Sequence, residues 1–272
     1  TVDGTITNKN KALIHADQLL TLTSTNGDLI NTDAIIESVT KATLKSNKLT
    51  NTGTLLTQDD SLTINATDIE NQGSIQSHGL TITADSLENR TELGELYSTD
   101  TLDLTIDGTI TNKDSALIHA DNTLVLTSTN GDFFNTNAKI EAIGATTVNA
   151  QNVTNTGTLI VQDGRLTIGN GEEGTGKVDN QGTLQGKGLT ITADVLENST
   201  ESGKLYSTDT LDLIVEGKVT NKDNALIHAD KALALTSTNG DLVNSNATIE
   251  SVTNTTLNSQ KLTNSGKILA QD

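Results

Sequence analysis

The 272-residue chain has no cysteine, proline, methionine or tryptophan, and its aromatic side chains are two tyrosines and two phenylalanines. Without cysteine there can be no disulfide and no thiolate metal site. At 33% hydrophobic and 1% aromatic residues, the chain is well short of the apolar content of an ordinary globular domain. Such a shortage leaves two options, a disordered chain or a thin core spread along an axis. Disordered chains are poor in β-branched residues, whereas Thr, Ile, Val and Leu recur here throughout, which favours the thin core. No run approaches the ~20 apolar residues of a membrane span. There is no signal peptide and no initial methionine, so the sequence reads as a fragment of a larger protein.

Basic residues are also scarce. Lys and Arg total 17 against 35 Asp and Glu, a net charge of −18. Binding a phosphate backbone needs a basic patch, so the charge argues against nucleic acid as a partner. The acidity reads as a solvated surface that favours solubility and limits self-association.

What the chain has in abundance is repetition. TNKNKALIHAD at Thr7–Asp17 returns as TNKDSALIHAD at Thr111–Asp121 and TNKDNALIHAD at Thr220–Asp230, steps of 104 and 109 residues. LTSTNGD, LYSTDTLDL and GLTITAD recur in the same frame. Inside this long period lies a short one, an apolar residue, any residue, then Asn. It places Asn8, Asn31, Asn51, Asn71, Asn89, Asn112, Asn135, Asn155, Asn180, Asn198, Asn221, Asn244 and Asn264 at intervals of 18 to 25 residues. Five short units make one long repeat, giving blocks 3–106 and 107–215 and a partial block 216–272. The five extra residues of the second step fall between Asn155 and Asn180, in Gly169, Asn170, Gly171, Glu172, Glu173, Gly174, Thr175, Gly176 and Lys177. An insertion that leaves both flanks in register is expected to be a loop on the outside of a repeating scaffold, and it is the candidate interaction loop.

Within each unit, apolar residues pair at spacing two, as in Leu62/Ile64, Leu80/Ile82 and Leu102/Leu104. That is the period of a strand with one buried face. Asn, Asp, Gly, Ser and Lys fill the links, as turns require. A coil of ~20 residues cannot bury its own apolar face, but stacked copies can. The expected fold is all-β, a right-handed parallel β-helix of twelve to thirteen coils of 18–25 residues, running through 1–272 as a single segment. At the spacing of neighbouring strands it would extend roughly 60 Å. The leucine-rich-repeat pattern is absent. The asparagine column is expected to be structural, through left-handed backbone angles in turns and side chains bonded along the axis.

The coils IENQGSIQSHGLTITADSLEN (Ile69–Asn89) and VDNQGTLQGKGLTITADVLEN (Val178–Asn198) resemble the haemagglutinin repeats of filamentous haemagglutinin-like exoproteins. The shared unit is an Asn-x-Gly turn, an apolar strand and a Leu-x-Ile-x-Ala strand, and the resemblance covers nearly the whole chain. It implies a large protein on the surface of, or secreted by, a Gram-negative bacterium, exported through an outer-membrane two-partner-secretion transporter. In that family the repeats form the filament of adhesins and of contact-dependent growth-inhibition toxins. The family's N-terminal secretion domain with its Asn-Pro motifs has no counterpart here, nor does a C-terminal toxin domain.

Residues that could carry chemistry recur rather than converge. His15, His119 and His228 occupy one position in coils five apart, roughly 24 Å from one another at the spacing of stacked strands, too far to share a metal ion. Each lies between an apolar residue and an alanine, and so faces outward. Paired carboxylates such as Asp59 and Asp60 occur, but a glycosidase also needs a singular site, and sugar enzymes usually add aromatic platforms. The glycine-rich insertion lacks the Lys-Ser/Thr end of a phosphate loop. Asn-x-Ser/Thr sequons fall at Asn65, Asn89, Asn152, Asn198, Asn246 and Asn254. The expectation is a non-enzymatic filament segment without cofactor or metal. A second reading is a module that binds a target-cell receptor or glycan through an exposed face or the insertion, and a third is a β-helical carbohydrate-active enzyme.

Overall fold

The computed structural model describes residues 1–169 and 175–271. The chain is all-β, a parallel β-solenoid, and divides into two compact units, Thr1–Glu141 and Ala142–Asp272.

In the first unit, a coil is three strands joined by three corners. Ile6–Lys9, Leu13–Ala16 and Leu20–Thr23 form one coil, and Leu29–Thr32 begins the next. Equivalent strands pair in parallel with like residues in register: Asn8 on Asn31, Ile14 on Ile36, Leu22 on Leu44. Where the third corner is shortest, the third strand runs unbroken into the first strand of the following coil, as in Ala42–Asn51 and Ser61–Asn71.

Alternation sets the core. In Leu102–Ile106 the side chains of Leu102, Leu104 and Ile106 are fully buried, while those of Asp103 and Thr105 face out. Ile75, Leu96 and Ile118 stack in the same way on the second strand. Two or three inward residues per strand fill so narrow an interior, which is why a third of the chain suffices as apolar residues.

Many corners are tied by a buried polar side chain, because carbonyls turned inward there would otherwise lack donors. The asparagine column holds the first corner. Asn71 donates from Nδ2 to Oδ1 of Asn89 at 2.8 Å and to the carbonyls of Gly73 at 2.9 Å and Glu95 at 3.1 Å. Serines hold several of the others. Ser98 Oγ donates to His78 O at 2.7 Å, and Ser128 Oγ to Gly108 O.

The column residues do not adopt the left-handed backbone expected of them. They sit in strands, and the positive φ angles fall two or three residues later, at Asn10 and Lys11, Asp33, Thr91, Asp114 and Ser115, and Asn137 in this unit. The side chain is used for its amide, and the reversal is made by the residues that follow. In the shorter coils Gly53 and Gly73 take that place for a different reason. Their φ angles are not positive, but a Cβ on Gly73 would lie 2.2 Å from Gly53 O. Coil packing leaves no room for one.

The second unit follows the same rules. Asn180 donates to Asn198 at 2.8 Å, and Asn198 to Asn221 at 2.9 Å. Val178, Leu196, Val219 and Leu242 stack in register. Positive φ recurs at Thr200, Asp223, Asn224 and Asn246. Three residues of the candidate loop lie in a strand instead. Thr175, Gly176 and Lys177 open the strand Thr175–Asn180, with Thr175 paired to Ala193 and Lys177 to Val195. Their regular pairing with the next coil draws them into the sheet.

Candidate functional site

Of the candidate loop, Asn170, Gly171, Glu172, Glu173 and Gly174 lie outside the described residues. Its described flanks are a left-handed glycine, Gly169 at φ 83°, and the strand that starts at Thr175. Lys177 Nζ lies 2.9 Å from Asp179 and 2.9 Å from Glu197, a placement that raises its pKa, through Asp179 first and then Glu197.

A cluster of titratable groups lies on the outer face of the second strand. In the first unit Gln76, Tyr97 and His119 are stacked in register. The rings of Tyr97 and His119 lie parallel, 4.8 Å apart. His119 Nε2 is 2.8 Å from Asp121 and its Nδ1 3.7 Å from Glu141, while the Tyr97 hydroxyl donates to Asp121 at 3.2 Å. In the second unit Gln185, Tyr206, His228 and Glu250 repeat the order. There His228 lies 2.7 Å from Asp230 and 2.8 Å from Glu250. His15 has the same two carboxylate neighbours, Asp17 at 3.0 Å and Glu37 at 2.8 Å.

A carboxylate only accepts, so filling both bonds of one ring takes two ring N–H groups. The pKa of His15 is accordingly raised, by its hydrogen bond to Asp17 first and then by that to Glu37. The Tyr97 and Tyr206 hydroxyls are also raised, by partial burial first and then by the neighbouring aspartate. Among the described residues there is no group of three His, Asp or Glu side chains placed to hold a metal ion.

Ion pairs line the outer face of the first strand. Glu70 is bracketed by Lys48 at 2.9 Å and by Arg90, which hold its carboxyl below the usual range. Glu197 is lowered in the same way by Lys222 and Lys177. Such half-exposed pairs fix neighbouring coils in register and add little stability individually.

The third corner of the first unit contains a notch of about 460 Å³. It lies over the coils whose corner is shortest, where Ala42–Asn51 and Ser61–Asn71 run straight through. Lys45, Asn47, Asn65, Thr67, Thr83 and Asp85 line it and make no side-chain hydrogen bonds. No aromatic ring is among them.

The structure sorts the six sequons. Asn89 and Asn198 are ladder residues with no exposed surface, so they are closed to modification, whereas Asn152, Asn246 and Asn254 are exposed and Asn65 is half-buried. Sequence reasoning placed the histidines outward but missed the tyrosines beneath two of them.

No protein-family model matches the chain, and no solved structure matches it. A curated relative, the tRNA nuclease CdiA of Yersinia mollaretii, is 30% identical over 218 residues, which is 79% of this chain. The chain spans about 7% of that relative's length.

Proposed function

We propose that the chain is a filament segment of a large exported bacterial surface protein, similar to CdiA, that presents an adhesive or toxin-delivery region to target cells. On this reading it belongs to a Gram-negative bacterium and leaves the cell through an outer-membrane two-partner-secretion transporter. The observation that carries the reading is the recurrence of the same side chains in the same roles. The asparagine amides bond coil to coil within each unit, and the Tyr–His–carboxylate stack returns in both. A support element needs such uniformity, whereas an active site is a singular place. The relative is named for a tRNA nuclease activity, and the filament reading assigns no catalytic step to this chain.

Deleting residues 107–215 from the full-length protein tests this. The cut removes one long repeat and joins Ile106 to Glu216, the repeat equivalent of Asp107, so the coils stay in register. Export and target-cell contact are expected to survive. Loss of contact with export and folding intact would overturn the support role.

A second reading, glycan or receptor binding, is favoured by the notch, whose polar side chains make no bonds to one another. Paired Lys45→Ala and Asp85→Ala changes in the full-length protein should then abolish target-cell binding without altering export. Unchanged binding would remove the notch from consideration.

A further inference from the structure

The segment Ser-Thr-Asn-Gly-Asp occurs three times, around Asn26, Asn130 and Asn239. In each copy the serine is buried and its hydroxyl donates to a glycine carbonyl of the preceding coil, Gly4, Gly108 or Gly217. In each copy the asparagine is exposed, and its backbone N–H donates to the preceding coil, to Asp3 O, Asp107 O or Glu216 O. The local sequence and backbone setting are therefore matched, and the side-chain partner differs. Asn26 Nδ2 donates to Asp3 Oδ1 and Asn130 Nδ2 to Asp107 Oδ1, both at 2.6 Å, whereas Asn239 Nδ2 reaches Glu216 Oε1 only at 3.5 Å.

An asparagine followed by glycine is open to attack on its side-chain carbonyl carbon. The glycine backbone nitrogen gives up its proton and bonds to Cγ, the Cγ–Nδ2 bond breaks, and ammonia leaves. Water then opens the resulting succinimide at either carbonyl, to aspartate or isoaspartate. The glycine bears no Cβ to shield its nitrogen. The opposing factor is whatever holds the amide away from that nitrogen. A short hydrogen bond to a carboxylate does so, and it is of the stronger, charge-assisted kind. The same negative charge disfavours the anionic nitrogen that must form.

We propose that these three asparagines are spontaneous deamidation sites of unequal rate, with Asn239 the fast one and Asn26 and Asn130 held back by their aspartates. Each event places a new carboxylate against the one already on the neighbouring coil and adds a negative charge to a chain that already carries −18. Like charges at that spacing loosen the third corner where they meet.

Incubating the full-length protein at mildly alkaline pH and mapping its tryptic peptides by mass spectrometry measures all three sites together, because each lies in a different peptide. Asn239 is expected to gain one mass unit roughly tenfold faster than the other two, the factor set by breaking a charge-assisted hydrogen bond first. In denaturant the three rates should converge, since the flanking residues are identical. Glu216→Asp should slow Asn239 to the rate of its counterparts, and Asp107→Ala should speed Asn130. Equal rates in the folded protein, or a difference that persists in denaturant, would overturn the proposal.

Discussion

Tyr206 lies parallel to His228 on the next coil, with ring centroids 4.8 Å apart and planes within 8° of each other. The distance is the spacing of neighbouring strands in a sheet, so the rings meet without displacing the backbone. The Tyr206 hydroxyl also reaches Asp230 at 3.2 Å, the same carboxylate that faces His228 Nε2. Replacing Tyr206 with Ala removes both the stack and this bond and is expected to destabilise the protein by about 1 to 2 kcal/mol. Tyr206→Phe keeps the stack and should lose less than half of that. Denaturant midpoints of the two variants separate the contributions, and equal losses would show that the ring contact adds nothing.

The histidine bracket gives a pH dependence whose sign follows from His15. Its pKa is raised above the ordinary 6.5, chiefly by Asp17 and next by Glu37. A raised histidine contributes stability that is fully present below the unfolded value of about 6.5 and is lost as pH rises through the folded value. Titration of the His15 ring by NMR should therefore give a midpoint above that of an unfolded histidine. Asp17→Asn should lower the midpoint more than Glu37→Gln does. The reverse order would mean that the bond across coils outweighs the one within the coil.

The asparagine ladder should tolerate no change of donor to acceptor. Asn71 accepts from Asn51 at 2.8 Å while giving its own N–H groups to Asn89 and to two carbonyls. In Asn71→Asp the donor is lost, and a buried carboxylate faces three oxygens. The expected cost is on the order of 3 kcal/mol. Asn224→Asp is the matched control. Asn224 is exposed, accepts from Asn246 at 3.1 Å and has φ 67°, which aspartate also tolerates. Its effect should stay within about 0.5 kcal/mol. Comparable losses at both sites in urea unfolding would contradict the ladder's part in stability.

Much of the fold was legible because its two periods survive in the amino-acid order. Spacing of two marked Leu102 and Leu104 as inward, and the column of Asn residues marked every coil. What did not transfer was anything that depends on how far the chain travels around a corner. Comparing long repeats aligns His119 with His228, but the residue that touches His119 is Tyr97, one coil earlier. Glu95–Ser98 starts six residues after Asn89, while Leu117–Ala120 starts five after Asn112. The offset through the turn is therefore not constant, and counting from the asparagines misplaces the rings by one. The left-handed turn expected of the asparagines was misplaced for a related cause. Asparagine suits both a left-handed turn and a buried amide ladder, and only the backbone angles show that the turn belongs to its neighbours.

The glycines that follow the column in the short coils make the sharpest test of coil packing. A Cβ on Gly73 would lie 2.2 Å from Gly53 O and 2.7 Å from the carbonyl carbon of Thr52, both backbone atoms of the preceding coil. Neither can move without shifting a strand, and the strand that leads to Gly73 carries the ladder residue Asn71 two positions earlier. Gly79 opens the strand Gly79–Ala84 of the same stretch, and its added Cβ would meet only Ser61 Cβ at 3.8 Å, an ordinary contact. Gly73→Ala should therefore cost about 2 kcal/mol or more, by overpacking. Gly79→Ala should be neutral to slightly stabilising, because it restricts only the unfolded chain. Hydrogen exchange adds a spatial check. The loss from Gly73→Ala should appear at the amides of Thr54 and Ser74, which donate to Ala34 O and Gly53 O across the affected corner. Uniform weakening of every coil, or none, would show that the corner does not depend on close approach at glycine.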